Sequence, residues 1–280
     1  MNIVLGARGR LGHAISLSLP TDRIMAPARS AYAEWWRDGA ADRVSRFLED
    51  SVKGEGTVYV AAGLIDPSRP DDEHHQVNYL LARNVIEGAT KLGFRVVTFG
   101  SVMEEVVSDK TTNPYFASKI RLGNFVDDFS TKSDLVLHVR IHTLFGGGLP
   151  DGFMFLGQIF HSLMSHSEFK MSPGTQLREY HHLDDEVVAI KKLLESGAGG
   201  SVTLTHGAPV TLKNMAGYIF EAFKCPELLR IGALPGPADD NYGVLFKRPR
   251  ALDGMTFRET LPALVDYLRA CVGLSGRNCA

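Results

Sequence analysis

Tyr115 and Lys119 stand four residues apart, with Asn113-Pro114 directly before them and Ser101 upstream. Asn is a favoured helix N-cap and Pro suits the first helical position, so Tyr115 falls in the first turn and Lys119 one turn further along the same face. A tyrosine is a poor acid or base at its ordinary pKa near 10. The ammonium and the positive end of the helix both favour the phenolate, which should bring this one toward the working range for proton transfer. The Tyr-x-x-x-Lys spacing alone is common. This instance is set apart by Ser101 at the end of a predicted strand and by a second group at the N-terminus, Gly6-Ala7-Arg8-Gly9-Arg10-Leu11-Gly12. Glycines at this spacing let a backbone approach a dinucleotide pyrophosphate, and a helix that starts there offers it free N–H groups.

The elements that must hold these groups are legible around them. Ile3, Val4 and Leu5 form a short apolar strand leading into the glycines, and residues 11–19 continue as an amphipathic helix. Residues 23–30 read as a second strand with the loop that follows it. In a dinucleotide fold an acidic residue there binds the ribose 2′-hydroxyl of NAD. This chain has Arg29 and Ser30 instead, with Arg8 inside the glycine loop, and that favours NADP(H) over NAD(H). Residues 41–49 predict a helix, and 57–61 a β-branched strand ending in the small residues Ala61-Ala62-Gly63. A loop with two prolines precedes a long helix over 72–92, closed by Gly93. His74 and His75 lie in that helix. Neighbours in a helix point apart and no second ligand cluster is near, so both are read as surface and no metal is expected. Strands over 94–99, 135–141 and 201–205 and helices over 184–196, 211–223 and 257–272 complete the outline.

Composition narrows the partners. The chain has 280 residues, 44% of them hydrophobic, and a net charge of −2. That is enough for a sizeable core and leaves about a hundred residues beyond a single dinucleotide unit. With no basic run, neither nucleic acid nor an anionic membrane is expected as the main partner. No apolar stretch approaches the length of a spanning helix and the N-terminus lacks export features, so a cytoplasmic protein is expected. Cys225, Cys271 and Cys279 form no Cys-x-x-Cys pair, which fits reduced thiols with neither a zinc knuckle nor a disulfide framework.

Taken in order, the glycine turn, Ala61-Ala62-Gly63, Asn78, Ser101, Tyr115-Phe116-Ala117-Ser118-Lys119 and Arg178-Glu179-Tyr180-His181-His182-Leu183-Asp184-Asp185 resemble the extended short-chain dehydrogenase/reductase superfamily, in its nucleotide-sugar epimerase/dehydratase branch. The resemblance spans essentially the whole chain. It implies an α/β fold: a doubly wound parallel Rossmann sheet in an NADP(H)-binding domain over 1–149, and a small C-terminal α/β substrate domain, mainly 150–280, interleaved with the end of the sheet. It implies Tyr115 as catalytic acid/base, Lys119 as the residue that lowers its pKa and holds the nicotinamide ribose, and Ser101 as the partner of the reacting oxygen. Cofactor contacts are implied for Gly6, Arg8, Gly9, Arg10, Leu11, Gly12, Arg29, Ser30, Ala61, Ala62, Gly63, Asn78, Tyr115, Lys119 and His142. A nucleotide-sugar substrate is implied for Ser101, Thr143, Arg178 and Arg248. Thr143 stands where the family pattern Arg-x-x-Asn-x-x-Gly has Asn, and a hydroxyl can still donate there. Arg178 could instead pair with Glu179 or Asp185, and Arg248 could instead be part of a solvated basic face. Asp184 and Asp185 read as helix capping. The resemblance also implies a homodimer, through a bundle formed by the helix over 72–92 and the Tyr115 helix.

Dehydratases of the family carry an Asp-Glu pair directly after the serine or threonine. Here Val102 and Met103 follow Ser101, and Glu104 and Glu105 lie beyond those places and are expected to face solvent. The reading that results is reduction, with NADPH, of the C4 keto group of a nucleotide-linked 4-keto-6-deoxy sugar. An epimerase that recycles one tightly bound NAD is the alternative. A non-catalytic NADP-binding regulator is disfavoured because both Tyr115 and Lys119 are present.

Overall fold

The computed structural model describes residues 1–277, so Cys279 lies outside the described residues. In chain order the elements are β1 (Asn2–Leu5), α1 (Arg10–Ser18), β2 (Ile24–Met25), α2 (Arg29–Tyr32), α3 (Ala40–Ser51), β3 (Thr57–Val60), α4 (Asp71–His74), a π-helical segment (His75–Leu80), α5 (Leu81–Thr90), β4 (Arg95–Ser101), a 3₁₀ turn (Val102–Glu105), α6 (Pro114–Ser130) and β5 (Val136–Ile141). There follow β6 (Thr143–Phe145), α7 (Phe155–Ser165), β7 (Phe169–Met171), β8 (Leu177–Arg178), β9 (Tyr180–His182), α8 (Leu183–Glu195), β10 (Gly200–Thr203), β11 (Val210–Thr211), α9 (Leu212–Ala222), β12 (Leu229–Ile231) and α10 (Thr260–Arg277). The chain divides into two compact units, the first comprising Met1–Ile141, Val187–Leu204 and Pro249–Leu252.

That unit is built on a six-stranded parallel sheet in the order β10-β5-β4-β3-β1-β2. Strands covered on both faces need apolar side chains at nearly every position, and Ile3, Val4 and Leu5 of β1 are fully buried. Helices α3 and α5 supply the covering layer through Val44, Val85 and Ile86, all fully buried. The fold is therefore the Rossmann-type doubly wound α/β arrangement that the resemblance implies. After β1 the chain runs to β2 on one side, then crosses to β3 on the other. The crevice at the carboxyl ends of β1 and β3 is thus the place where such sheets bind ligands. Leu5 pairs with Val60 in register, so Gly6 and Ala61 leave the sheet side by side.

Two local departures matter. The second strand is only two residues long, and Arg29 and Ser30 open a helical turn beyond Pro27. The helix expected over 72–92 is interrupted by the π segment, which widens the turn around Asn78.

The second unit holds three short strand pairs, β6 with β9, β8 with β11 and β7 with β12. Its core is a separate cluster that includes Phe145, Ile159, Phe169, Met215, Phe220 and Leu264. Thr211 caps α9 by accepting the Asn214 N–H at 3.2 Å, as its position predicts. No described helix is long and apolar enough to cross a membrane.

Candidate active site

The glycine turn is shaped by close approach. Gly6 adopts φ +85°, and a Cβ there would lie 2.5 Å from the Ala62 backbone nitrogen. A Cβ on Gly12 would overlap the Gly6 carbonyl, so only glycine lets α1 start this close to β1. Gly9 is the N-cap of α1, its N–H donating to the Gly6 carbonyl at 2.9 Å. No side chain caps α1 and no acidic residue stands in its first turn, so its N-terminal N–H groups suit a diphosphate. Arg8, Arg29 and Ser30 are exposed, while Arg10 and Leu11 are half-buried. Tyr32, which sequence reasoning missed, places its hydroxyl to accept the Gly6 N–H at 3.1 Å.

Asn78 ties the next strand end to two helices. Its amide accepts the Leu64 N–H at 2.8 Å, donates to the Leu64 carbonyl at 2.9 Å and donates to the Ser118 hydroxyl at 3.1 Å. A Cβ on Gly63 would lie 3.5 Å from the Asn78 Oδ1 and 4.0 Å from the Lys119 Nζ, so β3, the π segment and α6 converge here. His74 is not a surface residue. It is fully buried, and its Nε2 donates to the Asp66 carbonyl at 2.9 Å, closing the proline-containing loop. His75 does face outward, beside Arg121 at 3.0 Å. Adjacent helical residues do point apart, but one of these two faces in.

Ser101 ends β4 and is buried. Its hydroxyl accepts the Met103 N–H at 3.2 Å, leaving its own hydrogen to donate. Asn113 Oδ1 caps α6 by accepting from Tyr115 N at 3.0 Å and Phe116 N at 3.3 Å, with Pro114 at the first position, as the sequence predicts. Lys119 is buried, donates from Nζ to the Phe99 carbonyl at 2.7 Å, and lies 5.9 Å from the Tyr115 ring centre. The phenol does not behave as expected. Burial and the Glu104 carboxylate push it up to about 12, against a downward pull from its hydrogen bond with Ser101. Burial lowers the Lys119 amine to about 8, with Glu104 opposing. Desolvation of the phenol and the fixed Glu104 charge are the upward causes, and the helix end and the ammonium do not offset them.

That charge corrects another expectation. Glu104 does not face solvent: its side chain is 3% exposed. Its carboxylate accepts the Ser101 N–H at 2.6 Å, His138 Nε2 at 3.1 Å and Arg140 Nε at 3.1 Å. Burial pushes this carboxyl up, and His138, the Ser101 N–H and Arg140 together outweigh that and hold it below its ordinary value. The signal was present in the sequence, since Ser101-x-x-Glu104 is the spacing of a capping box, and both of its hydrogen bonds form. Glu105 is partly exposed and bonded to Arg140 and Thr203. Val102 and Met103, at the places where dehydratases carry carboxylates, are buried and apolar.

The remaining sequence candidates belong to the second unit. Thr143 starts β6, paired in register with Tyr180 of β9. Arg178 forms an ion pair with Asp240, not with Glu179 or Asp185. Arg248 donates to the carbonyls of His206 at 3.1 Å and Met255 at 3.3 Å and lies over the Phe257 ring at 5.0 Å, so it is held in place and is no solvated patch. Asp184 and Asp185 both face Arg258. His142 is buried, with Nε2 unpartnered, 4.9 Å from the His181 ring. Burial and the His181 charge lower it to about 3.

His181 anchors a buried network that the sequence did not reveal. Its Nδ1 meets Glu186 at 2.8 Å and its Nε2 meets Glu179 at 3.0 Å. Burial opposes its charge, but the two carboxylates outweigh that and raise it to about 9. Glu179 also accepts the His206 N–H at 2.8 Å and the Gly207 N–H at 3.2 Å. Two triads here, His142 with Glu179 and His181, and His181 with Glu186 and His206, each hold their donor atoms within 4.8 Å of one another. Neither suits a metal: both His181 nitrogens are already bonded to carboxylates, and His181 and His206 stack at 3.5 Å and 5°, so their in-plane lone pairs run parallel instead of converging on one ion.

Solved structures similar to the chain share its fold. A UDP-N-acetylglucosamine 4-epimerase from Methanobrevibacter ruminantium, in complex with UDP-N-acetylmuramic acid, is 15% identical with a TM-score of 0.75, over 99% of this chain and 98% of that one. A dTDP-4-dehydrorhamnose reductase from Bacillus anthracis, in complex with NADP, is 16% identical with a TM-score of 0.73, over 96% and 98%. The Bordetella bronchiseptica enzyme WbmH, in complex with NAD+, is 16% identical with a TM-score of 0.71, over 96% and 98%. No curated protein matches the chain by sequence. The model of the NAD dependent epimerase/dehydratase family matches residues 3–204, well over half of the chain, and the chain belongs to that family.

Proposed function

We propose that the protein reduces the C4 keto group of a nucleotide-linked 4-keto-6-deoxy sugar, using NADPH. The reading rests on the Ser101, Tyr115 and Lys119 arrangement with no carboxylate at positions 102 and 103. The first unit suits the cofactor: Gly6, Gly9 and Gly12 leave room for a diphosphate at the start of α1, and Ala61, Ala62, Gly63 and Asn78 line the end of β3. When bound there, the reduced nicotinamide supplies the hydride. Tyr115, whose phenol stays protonated at neutral pH, gives its proton to the oxygen that was the carbonyl. Ser101, whose hydroxyl oxygen already accepts from Met103, donates its own hydrogen to that oxygen and polarises it. Lys119 holds the ribose and balances the charge left on the phenol. His142 toward the cofactor, and Thr143, Arg178 and Arg248 toward the nucleotide sugar, complete the proposal. Arg8, Arg29 and Ser30, with no acid beside them after β2, support NADPH over NADH. A cytoplasmic homodimer through α4–α5 and α6 belongs to the same reading, and sedimentation as a stable monomer would overturn the dimer.

The deciding experiment follows reduced-nicotinamide absorbance while NADPH or NADH meets a panel of nucleotide-linked 4-keto-6-deoxy sugars, with products resolved by chromatography. Stoichiometric oxidation, faster with NADPH, is expected. A changed sugar without net cofactor consumption would make the protein an epimerase and overturn both the reductase reading and the role given to the arginines.

A further inference from the structure

Glu104 belongs to no part of the mechanism above, yet the first unit is built around its carboxylate. Gly100 on β4 and Gly123 on α6 both lie against it: a Cβ on Gly123 would sit 2.5 Å from Glu104 Oε2, and one on Gly100 would overlap Oε1 and the His138 ring. Two elements thus give up a side chain to admit one carboxylate. His138 and Arg140 alternate along β5, so both point to the face where Glu104 lies. The far side of His138 is fixed in turn, Nδ1 meeting the Thr98 hydroxyl at 2.8 Å. Arg140 also reaches Glu105 and Asp127, each at 3.3 Å.

We propose that Glu104 is a positioning residue of the reaction centre: it pins the backbone of Ser101 through the bond to its N–H and fixes a negative charge toward Tyr115 and Lys119. The pinning follows from the 2.6 Å bond to Ser101 N, in the same residue as the hydroxyl that must polarise the substrate oxygen. The charge acts on the other two groups in the same sense, favouring the protonated phenol and the protonated amine. Both effects suit a centre that donates a proton, so the inference rests on the reductase reading for its purpose but not for its test. The groups facing Lys119 and Tyr115 are Ser101, Glu104, the Phe99 carbonyl, Asn78 near Gly63, and the His74 ring 6.4 Å from Tyr115. Behind Glu104 stand His138 and Arg140, with Glu105 and Asp127 on the latter.

The test reads the Lys119 amine directly, by carbon NMR of lysine labelled at Cε in the full chain without substrate, the signal being assigned by its loss in Lys119→Met. In Glu104→Gln the titration step is expected below its position in the unsubstituted protein, which lies at about 8. In Arg140→Gln, which strips neutralising charge from Glu104 without touching Ser101, the step is expected to rise. A structural defect would move both in one direction, so shifts of the same sign, or an unmoved step in folded Glu104→Gln, would overturn the proposal. If Glu104→Gln fails to fold, an unmoved or lowered step in Arg140→Gln overturns it equally. Under turnover, Glu104→Gln is expected to lose about tenfold or more in kcat with the cofactor KM changed less than about twofold. Absence of turnover in the unsubstituted protein would count against the reductase reading and leave the NMR result standing.

Discussion

Among the described residues, two buried clusters of histidine and carboxylate stand one in each unit, and they are opposites. In the first unit one carboxylate, Glu104, is held by two nitrogen bases, His138 and Arg140. In the second, one imidazole, His181, is held by two carboxylates, Glu179 and Glu186. The first borders Ser101, Tyr115 and Lys119, whose oxygens and nitrogen can exchange protons. The second borders His142, His206 and Phe257, with His206 stacked face to face between His181 and Phe257. The same residue types thus serve different ends. Under the proposed mechanism the first charge acts on proton transfer through the hydroxyls and amine beside it, whereas the second, among stacked rings, acts on stability.

Substitutions can break that contrast. The largest effect is expected for Tyr115→Phe, which should lose about 10²–10⁴ in turnover while binding cofactor within about twofold of the unsubstituted protein; unchanged activity would remove the first cluster's claim to border a catalytic centre. Glu186→Ala should instead destabilise by about 3–5 kcal/mol, because it leaves His181 short of one of its two partners. Denaturant unfolding followed alongside turnover at low temperature checks this, and a loss of turnover at full stability would erase the difference between the clusters.

The pH dependence of stability is expected next, and its signs differ from group to group. His181, raised to about 9, adds stability that is complete below its ordinary value of 6.5 and is lost as pH climbs through 9. His142 and His206, lowered to about 3 and about 2 by burial and by the His181 charge, cost stability as pH falls below 6.5. Glu179, also held down to about 2, loses its contribution as pH falls from 4.5 toward that value. The midpoint of denaturant unfolding should therefore peak near pH 6.5 and fall on both sides. A flat profile between about pH 5 and pH 9 would mean that the second cluster is not charged as described. The smallest effect is expected at the exposed Arg29: Arg29→Ala should weaken NADPH by about tenfold or less and leave NADH unchanged, measured by fluorescence titration.

Much of the first unit was legible because its cues are local. The apolar run into Gly6, the Asn113-Pro114 cap and the helical spacing of Val85 and Ile86 each announce an element within a few residues. The closure of the second cluster and the far side of Glu104 were not: Glu179 and Glu186 lie within five residues of His181, but the groups that bury and complete each cluster are distant in sequence. Arg178 finds Asp240, Arg140 returns to Glu104, and Glu179 meets the backbone of His206 and Gly207. His74 was misread for a similar reason: what draws it inward is a carbonyl, that of Asp66, which carries no mark in the sequence. Tyr115 shows a third kind of miss. Its helical position was read well, but position says nothing about how far the phenol is desolvated or which distant carboxylate it faces, and those set its behaviour.

The segment Pro249–Leu252 belongs to the first unit although most of the second precedes it, and Leu252 is fully buried. During synthesis every strand of the large sheet, ending with β10, leaves the ribosome before that leucine does. The nascent first unit lacks this segment until residues up to Arg248 have emerged. Completion of the first unit therefore waits until much of the second has been made, and a chain cut just after β10 would have every strand of the large sheet yet lack this buried segment.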